Sequence, residues 1–145
     1  MDVQTKNSIQ LSRVINASQQ AVFDAWTQPE KLSKWSCPEG ATVEIADVDL
    51  TVGGRYRIRM KTGEDQYHTA IGAYQEIDAP SRLVYTWGWE EIPDAYESLV
   101  TVTFNSLGDS TEIVILHERF PDEKTAKDHE MGWSSCLNKL EGLFG

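Results

Sequence analysis

The sequence predicts an α+β protein: a curved antiparallel sheet of about six to seven strands wrapped around a long C-terminal helix, with two short helices after the first strand. Three observations predict it. The apolar spacing is helical between Ser18 and Trp35, changes to about two after Gly40, and returns to helical beyond Pro121. Short turns join the successive strand candidates, which implies an antiparallel meander. The final segment carries Trp133, Leu137, Leu140 and Phe144 on one helical face, and such a face needs a concave apolar surface to cover.

Ile9 to Ile15 reads as the first strand, with Ile9 and Leu11 alternating. Ser18 offers an N-cap, and Ala21, Val22, Ala25 and Trp26 fall at helical spacing. Pro29 to Trp35 fits a second short helix with proline in its first turn. Val43, Ile45 and Val48 mark a strand, and Gly53-Gly54 a turn. Tyr56, Ile58 and Met60 then alternate with Arg55, Arg57, Arg59 and Lys61, a half-buried strand with a basic outer stripe. Glu and Asp on adjacent strands are expected to balance that stripe.

Residues 67–77 form the next strand, and Asp78-Ala79-Pro80-Ser81 turns the chain. Leu83, Tyr85, Trp87 and Trp89 share one face of the following strand. An acidic loop, Glu90 to Glu97, leads to the strand of Val100, Val102 and Phe104. Gly108-Asp109 makes a hairpin turn into the last strand, where Ile113, Ile115 and His117 share a face. The closing helix is strongest from Lys127 to Phe144.

The 145 residues are expected to make a loose tail, 1–8, and a single domain, 9–145. The 23 acidic residues outnumber 13 basic ones, for a net charge of −10, which repels nucleic acid and anionic membranes. No apolar run reaches the roughly 18–20 residues of a membrane span. The polar N-terminus lacks a signal-peptide stretch, so the expected location is cytoplasmic, with Cys37 and Cys136 reduced.

The chemistry-bearing motifs are mostly missing. No Gly-x-Ser-x-Gly elbow occurs, and Gly53-Gly54 precedes a strand where a phosphate loop needs a helix. His129-Glu130-Met131-Gly132-Trp133 ends in Trp where a zinc motif has His. The expectation is no metal, no cofactor and no assigned catalytic residue, a binding protein in preference to an enzyme.

Five Trp, five Tyr and four Phe need a large core or a cavity to line. The aromatic faces allow either. For the cavity reading the candidate ligand-binding residues are Tyr56, Ile58, Met60, Tyr85, Trp87 and Trp89 from the strands. Val102 and His117 join them from the later strands, Trp35 from the second helix and Trp133 from the last. Tyr56, Tyr85, Trp87 and His117 would orient a ligand through their polar tips. The Glu90–Glu97 loop and the helix ending at Trp35 would gate the mouth. His117 has two readings: a buried, hydrogen-bonded histidine, or a group that orients a ligand or acts as general acid/base.

Several phrases carry a family resemblance. They are Ala21-Val22-Phe23-Asp24-Ala25-Trp26-Thr27, Pro29-Glu30-Lys31-Leu32-Ser33-Lys34-Trp35, Val52-Gly53-Gly54-Arg55-Tyr56 and Leu83-Val84-Tyr85-Thr86-Trp87. Thr111 through Glu118 and Gly132 through Leu140 complete the set. In order and spacing the chain resembles the SRPBCC superfamily (START-like, birch-pollen-allergen-like), in the branch of proteins like the activator of the Hsp90 ATPase. The resemblance implies a helix-grip fold and an apolar or amphipathic ligand such as a lipid. It also implies two alternatives: a cyclase- or hydrolase-like enzyme using His117, or a stress-response module that regulates a chaperone ATPase. A chaperone or a second copy in a homodimer are then the candidate protein partners.

Overall fold

The computed structural model describes residues 7–37, 40–92 and 97–144. Most of the expected tail and the centre of the acidic loop lie outside them. Strand β1 (Ile9–Ile15) is followed by helices α1 (Gln19–Thr27) and α2 (Pro29–Leu32). Six strands follow: β2 (Thr42–Val48), β3 (Arg55–Gly63), β4 (Gln66–Asp78), β5 (Arg82–Trp89), β6 (Ser98–Ser106) and β7 (Thr111–Glu118). Helix α3 (Glu123–Leu143) closes the chain.

The strands form one antiparallel sheet in the order β1-β7-β6-β5-β4-β3-β2, curled into a half-barrel around α3. The seven strands and three helices are those the apolar periods predict. Register shifts between Val43 and Ile45, Lys61 and Gly63, and Tyr74 and Glu76 supply bulges, which bend a sheet and increase its twist. Gly72 is fixed by this curvature: a Cβ there would overlap the Thr86 carbonyl oxygen on the neighbouring strand.

Local chemistry sets the helix ends. The Ser18 hydroxyl accepts from the Ala21 N–H at 3.3 Å and caps α1. Helix α2 is shorter than expected and ends at Leu32; a turn carries the chain on to Trp35. Helix α3 begins a turn earlier than expected, because the Asp122 carboxylate accepts from the Thr125 N–H at 2.8 Å. Its first turn is too polar to show in an apolar period.

The core lies between sheet and helices. Val100, Val102, Ile113 and Ile115 from β6 and β7 meet Val22 from α1 and Leu137 and Leu140 from α3, all fully buried. Arg13 on β1 fastens α3 from outside, donating to Asn138 at 3.0 Å and Glu141 at 2.9 Å. On the outer face of β3, Arg57 makes a two-pronged ion pair with Glu90 at 2.7 and 2.9 Å, and the Arg59 guanidinium lies 4.1 Å over the Tyr67 ring. The basic stripe is thus partly balanced on the protein's own surface. No described helix is long and apolar enough to cross a membrane.

Candidate functional site

Strand alternation turns Tyr56, Ile58 and Met60 of β3, Ala70 and Tyr74 of β4, and Tyr85, Trp87 and Trp89 of β5 inward. Trp26, Leu32 and Trp35 approach from α1, α2 and the turn beyond. Helix α3 presents Thr125, Asp128, His129, Gly132, Trp133 and Cys136. Between these groups is a cavity of about 500 Å³. That size falls in the roughly 300–1,000 Å³ range of small-molecule pockets.

The inner end is a nest of rings. Tyr56, Tyr74 and Tyr85 pack mutually at centroid distances of 5.4 to 5.9 Å. Their hydroxyls are used differently. Tyr56 donates to the Thr86 carbonyl at 2.7 Å. Tyr85 accepts from the Trp26 indole N–H at 3.2 Å. The Tyr74 hydroxyl has no hydrogen-bond partner among the described residues. Burial holds all three as neutral phenols, raised above the ordinary tyrosine range. Ser36, also at the wall, has a buried hydroxyl oxygen without a partner.

The other end is built around His117. Its Nδ1 accepts from the Trp133 indole N–H at 3.0 Å, which places the proton on Nε2. Nε2 lies 2.7 Å from Ser98 Oγ, and Ser98 in turn donates to the Trp87 carbonyl at 3.0 Å. The relay ties the Trp133 indole to His117 and, through Ser98, to the Trp87 backbone. Burial, and then His129, holds the His117 ring well below the ordinary histidine range. His129 stacks between Trp89 and Phe120, and burial lowers it to about 4.

Of the residues predicted from sequence, Trp35, Tyr56, Ile58, Met60, Tyr85, Trp87, Trp89 and Trp133 line the cavity. Val102 and His117 do not: both are fully buried, Val102 in the core and His117 in contact with Trp133, which does line it. Of the expected gate, Glu90 to Ile92 and Glu97 are described and residues 93–96 lie outside the described set; Ile92 reaches the cavity mouth.

Sequence reasoning missed Tyr74, Ser98 and the polar stripe of α3. Thr125, Asp128, His129, Gly132 and Cys136 recur at helical spacing, which is the signal that identifies them as one face. The two cysteines are free thiols. Burial raises Cys136 to about 12, and Cys37 lies 3.3 Å from the Lys139 ammonium. Among the described residues no group of three His, Cys, Asp or Glu side chains is placed to hold a metal.

The model of the family described as activator of Hsp90 ATPase homolog 1-like protein matches residues 16–145. The chain belongs to this family. It is similar to the crystal structure of a Chromobacterium violaceum protein, at 29% identity and a TM-score of 0.87, over 95% of this chain and 96% of that one. An AHSA1 protein from Silicibacter pomeroyi is also 29% identical, with a TM-score of 0.83 over 93% and 95% of the two chains. An Hsp90 activator from Plasmodium falciparum shares the fold at 23% identity, with a TM-score of 0.74 over 94% and 95%. No curated protein matches.

Proposed function

We propose that this family member binds an apolar or amphipathic small molecule in the cavity between β3–β5 and α3. The observation that carries the reading is the cavity of about 500 Å³ walled by Trp26, Trp35, Trp87, Trp89 and Trp133. Removing apolar ligand surface from water at about 25 cal/mol per Å² would drive binding. A chemical role for His117 has less support, since both ring nitrogens are engaged and the ring does not line the cavity.

The test is a thermal-shift screen of apolar ligands, followed by titration of the protein's tryptophan fluorescence. A ligand at about 100 times its Kd stabilises by about 2.7 kcal/mol, or roughly 5–10 °C in Tm for a chain of this size. One-to-one saturation with indole quenching is expected. No shift across lipids, polycyclic aromatics and polyketide-like compounds overturns the reading.

A second reading, stimulation of a chaperone ATPase, draws on the family's description and on the Plasmodium relative. It predicts that the purified chain raises the ATPase rate of Hsp90. An unchanged rate, with no complex recovered, overturns it.

A further inference from the structure

The inner end of the cavity carries donors that the fold itself does not use. Tyr74 and Tyr85 are cross-strand partners on β4 and β5, both lining the cavity and both more than nine-tenths buried. A tyrosine hydroxyl has one proton to donate and lone pairs to accept with. Tyr56 spends its proton on the Thr86 carbonyl. Tyr85 is held only through its lone pair, by the Trp26 N–H, so its proton has no acceptor among the described residues. The Tyr74 side chain makes no hydrogen bond to a described residue, and its hydroxyl opens on the cavity where that of Ser36 is sealed. Both hydroxyls face the cavity, so a ligand acceptor would take the place of water there, and a ligand without one would leave their protons with no acceptor.

The charges around the cavity narrow that acceptor. Neither lysine nor arginine lines it among the described residues. The acidic group on the lining is Asp128, and it lies 3.2 Å from the exposed Lys124 ammonium on the solvent side of α3. A carboxylate carried to the tyrosines would be desolvated without a cation to pair with. A neutral carbonyl oxygen loses far less hydration and has two lone pairs to offer.

Resting on the cavity-binding reading, we infer that Tyr74 and Tyr85 are the specificity-determining donors of the site. The class of ligand is an uncharged, largely apolar molecule that brings a carbonyl oxygen to the tyrosine end. Its apolar body would lie along Trp87, Trp89 and Trp133 towards the mouth.

The experiment uses three naphthalene probes of one skeleton. They are 6-propionyl-2-(dimethylamino)naphthalene, whose emission reddens when its ketone accepts hydrogen bonds, its 6-propyl counterpart without the oxygen, and the 6-carboxylate. Binding is measured with the full chain, with Tyr74→Phe/Tyr85→Phe, and with Tyr67→Phe as a control, since Tyr67 lies under Arg59 on the outer face and does not line the cavity. The preference for ketone over propyl should fall at least tenfold in the double variant and hold in Tyr67→Phe. Ketone emission in the complex should shift to the blue in the double variant. The carboxylate should bind more weakly than the ketone at neutral pH.

An unchanged ketone preference and emission in a folded double variant overturn the inference while leaving cavity binding intact. If the double variant does not fold, the wild-type chain decides: bound-ketone emission matching an aprotic solvent overturns the inference. Tighter binding of the carboxylate than of the ketone overturns the neutral class. Failure of every probe to bind overturns the cavity-binding reading itself.

Discussion

Along β6 and β7 the inward side chains are Val100, Val102, Phe104, Ile113 and Ile115; they share a buried cluster with Leu137 and Leu140 of α3, and none of them lines the cavity. Along β3, β4 and β5 the inward side chains are larger, yet that half of the molecule is hollow. The sheet alone would suggest the reverse. The difference lies in the helix. Over β6 and β7, α3 presents leucines, whereas its earlier turns present Thr125, Asp128, His129 and Gly132. The apolar strand pattern therefore places the walls, and the small and polar residues on the facing helix stripe leave the gap. Interiors pack to near-crystalline density unless a facing side chain is withheld.

The solid half should be the more fragile one. Leu137→Ala removes a fully buried side chain from it and is expected to cost about 2–5 kcal/mol, read by urea unfolding. Affinity for a cavity ligand should stay within about threefold at temperatures where the variant is folded, since Leu137 does not line the cavity. A loss below 1 kcal/mol would mean that the two halves are equally loose.

The hollow half should carry the acid sensitivity. His129 has a folded value of about 4 against an ordinary 6.5, because burial penalises its charged form. His117 is depressed in the same direction by the same cause. Below pH 6.5 the unfolded chain takes up protons that the folded rings refuse, so the unfolded state gains. Stability is complete above about pH 6.5 and falls as the pH drops towards 4, by about 3 kcal/mol from His129 at most. The lowered carboxyls Glu90 and Glu91 start from 4.5 and Asp122 from 3.8, so their losses overlap only the acid end of this window. His129→Gln should flatten the curve between pH 4 and 6.5. An unchanged slope would show that the ring is wet.

The helix that roofs both halves depends on its cap. Asp122→Ala removes the acceptor of the Thr125 N–H, at an expected cost of about 1 kcal/mol. Because the cap sits at the hollow end, hydrogen exchange should speed up in residues 123–129 more than around Leu140. Uniform acceleration along α3 would show that the helix opens as one unit.

How much of this was legible in the sequence depends on which physical signal each residue emits. Tyr56, Ile58 and Met60 were legible because arginines alternate with them, and a period of two survives burial on one face. Leu137 and Leu140 were legible as an apolar helical stripe. Tyr74 was not singled out because β4 is interrupted by a bulge after it and its face contains Gly72, which carries no side chain. The polar stripe of α3 stayed hidden because Thr125, Asp128 and His129 look like a solvated face. Only the strands opposite make them a cavity wall. Val102 and His117 share the inward parity of the cavity residues, but parity gives the face of a strand and says nothing of position along the sheet. Ser98 became visible as a partner only through the register that sets β6 beside β5 and β7.

The smallest expected effect is the sharpest test of where the hollow comes from. Gly132 sits in the middle of α3, lines the cavity, and has nothing within 4 Å of where a Cβ would stand. Glycine in a helix interior is less favourable than alanine by about 0.8–1.0 kcal/mol. Gly132→Ala should therefore raise stability by up to that amount, because the added methyl group meets no neighbour. The same substitution takes space from the cavity, so affinity for a ligand that fills it should drop while Tm rises. Opposite signs in the two measurements identify Gly132 as a residue that leaves room at the expense of helix stability. If alanine lowers both, the turn around Gly132 is packed and the gap lies elsewhere on the helix.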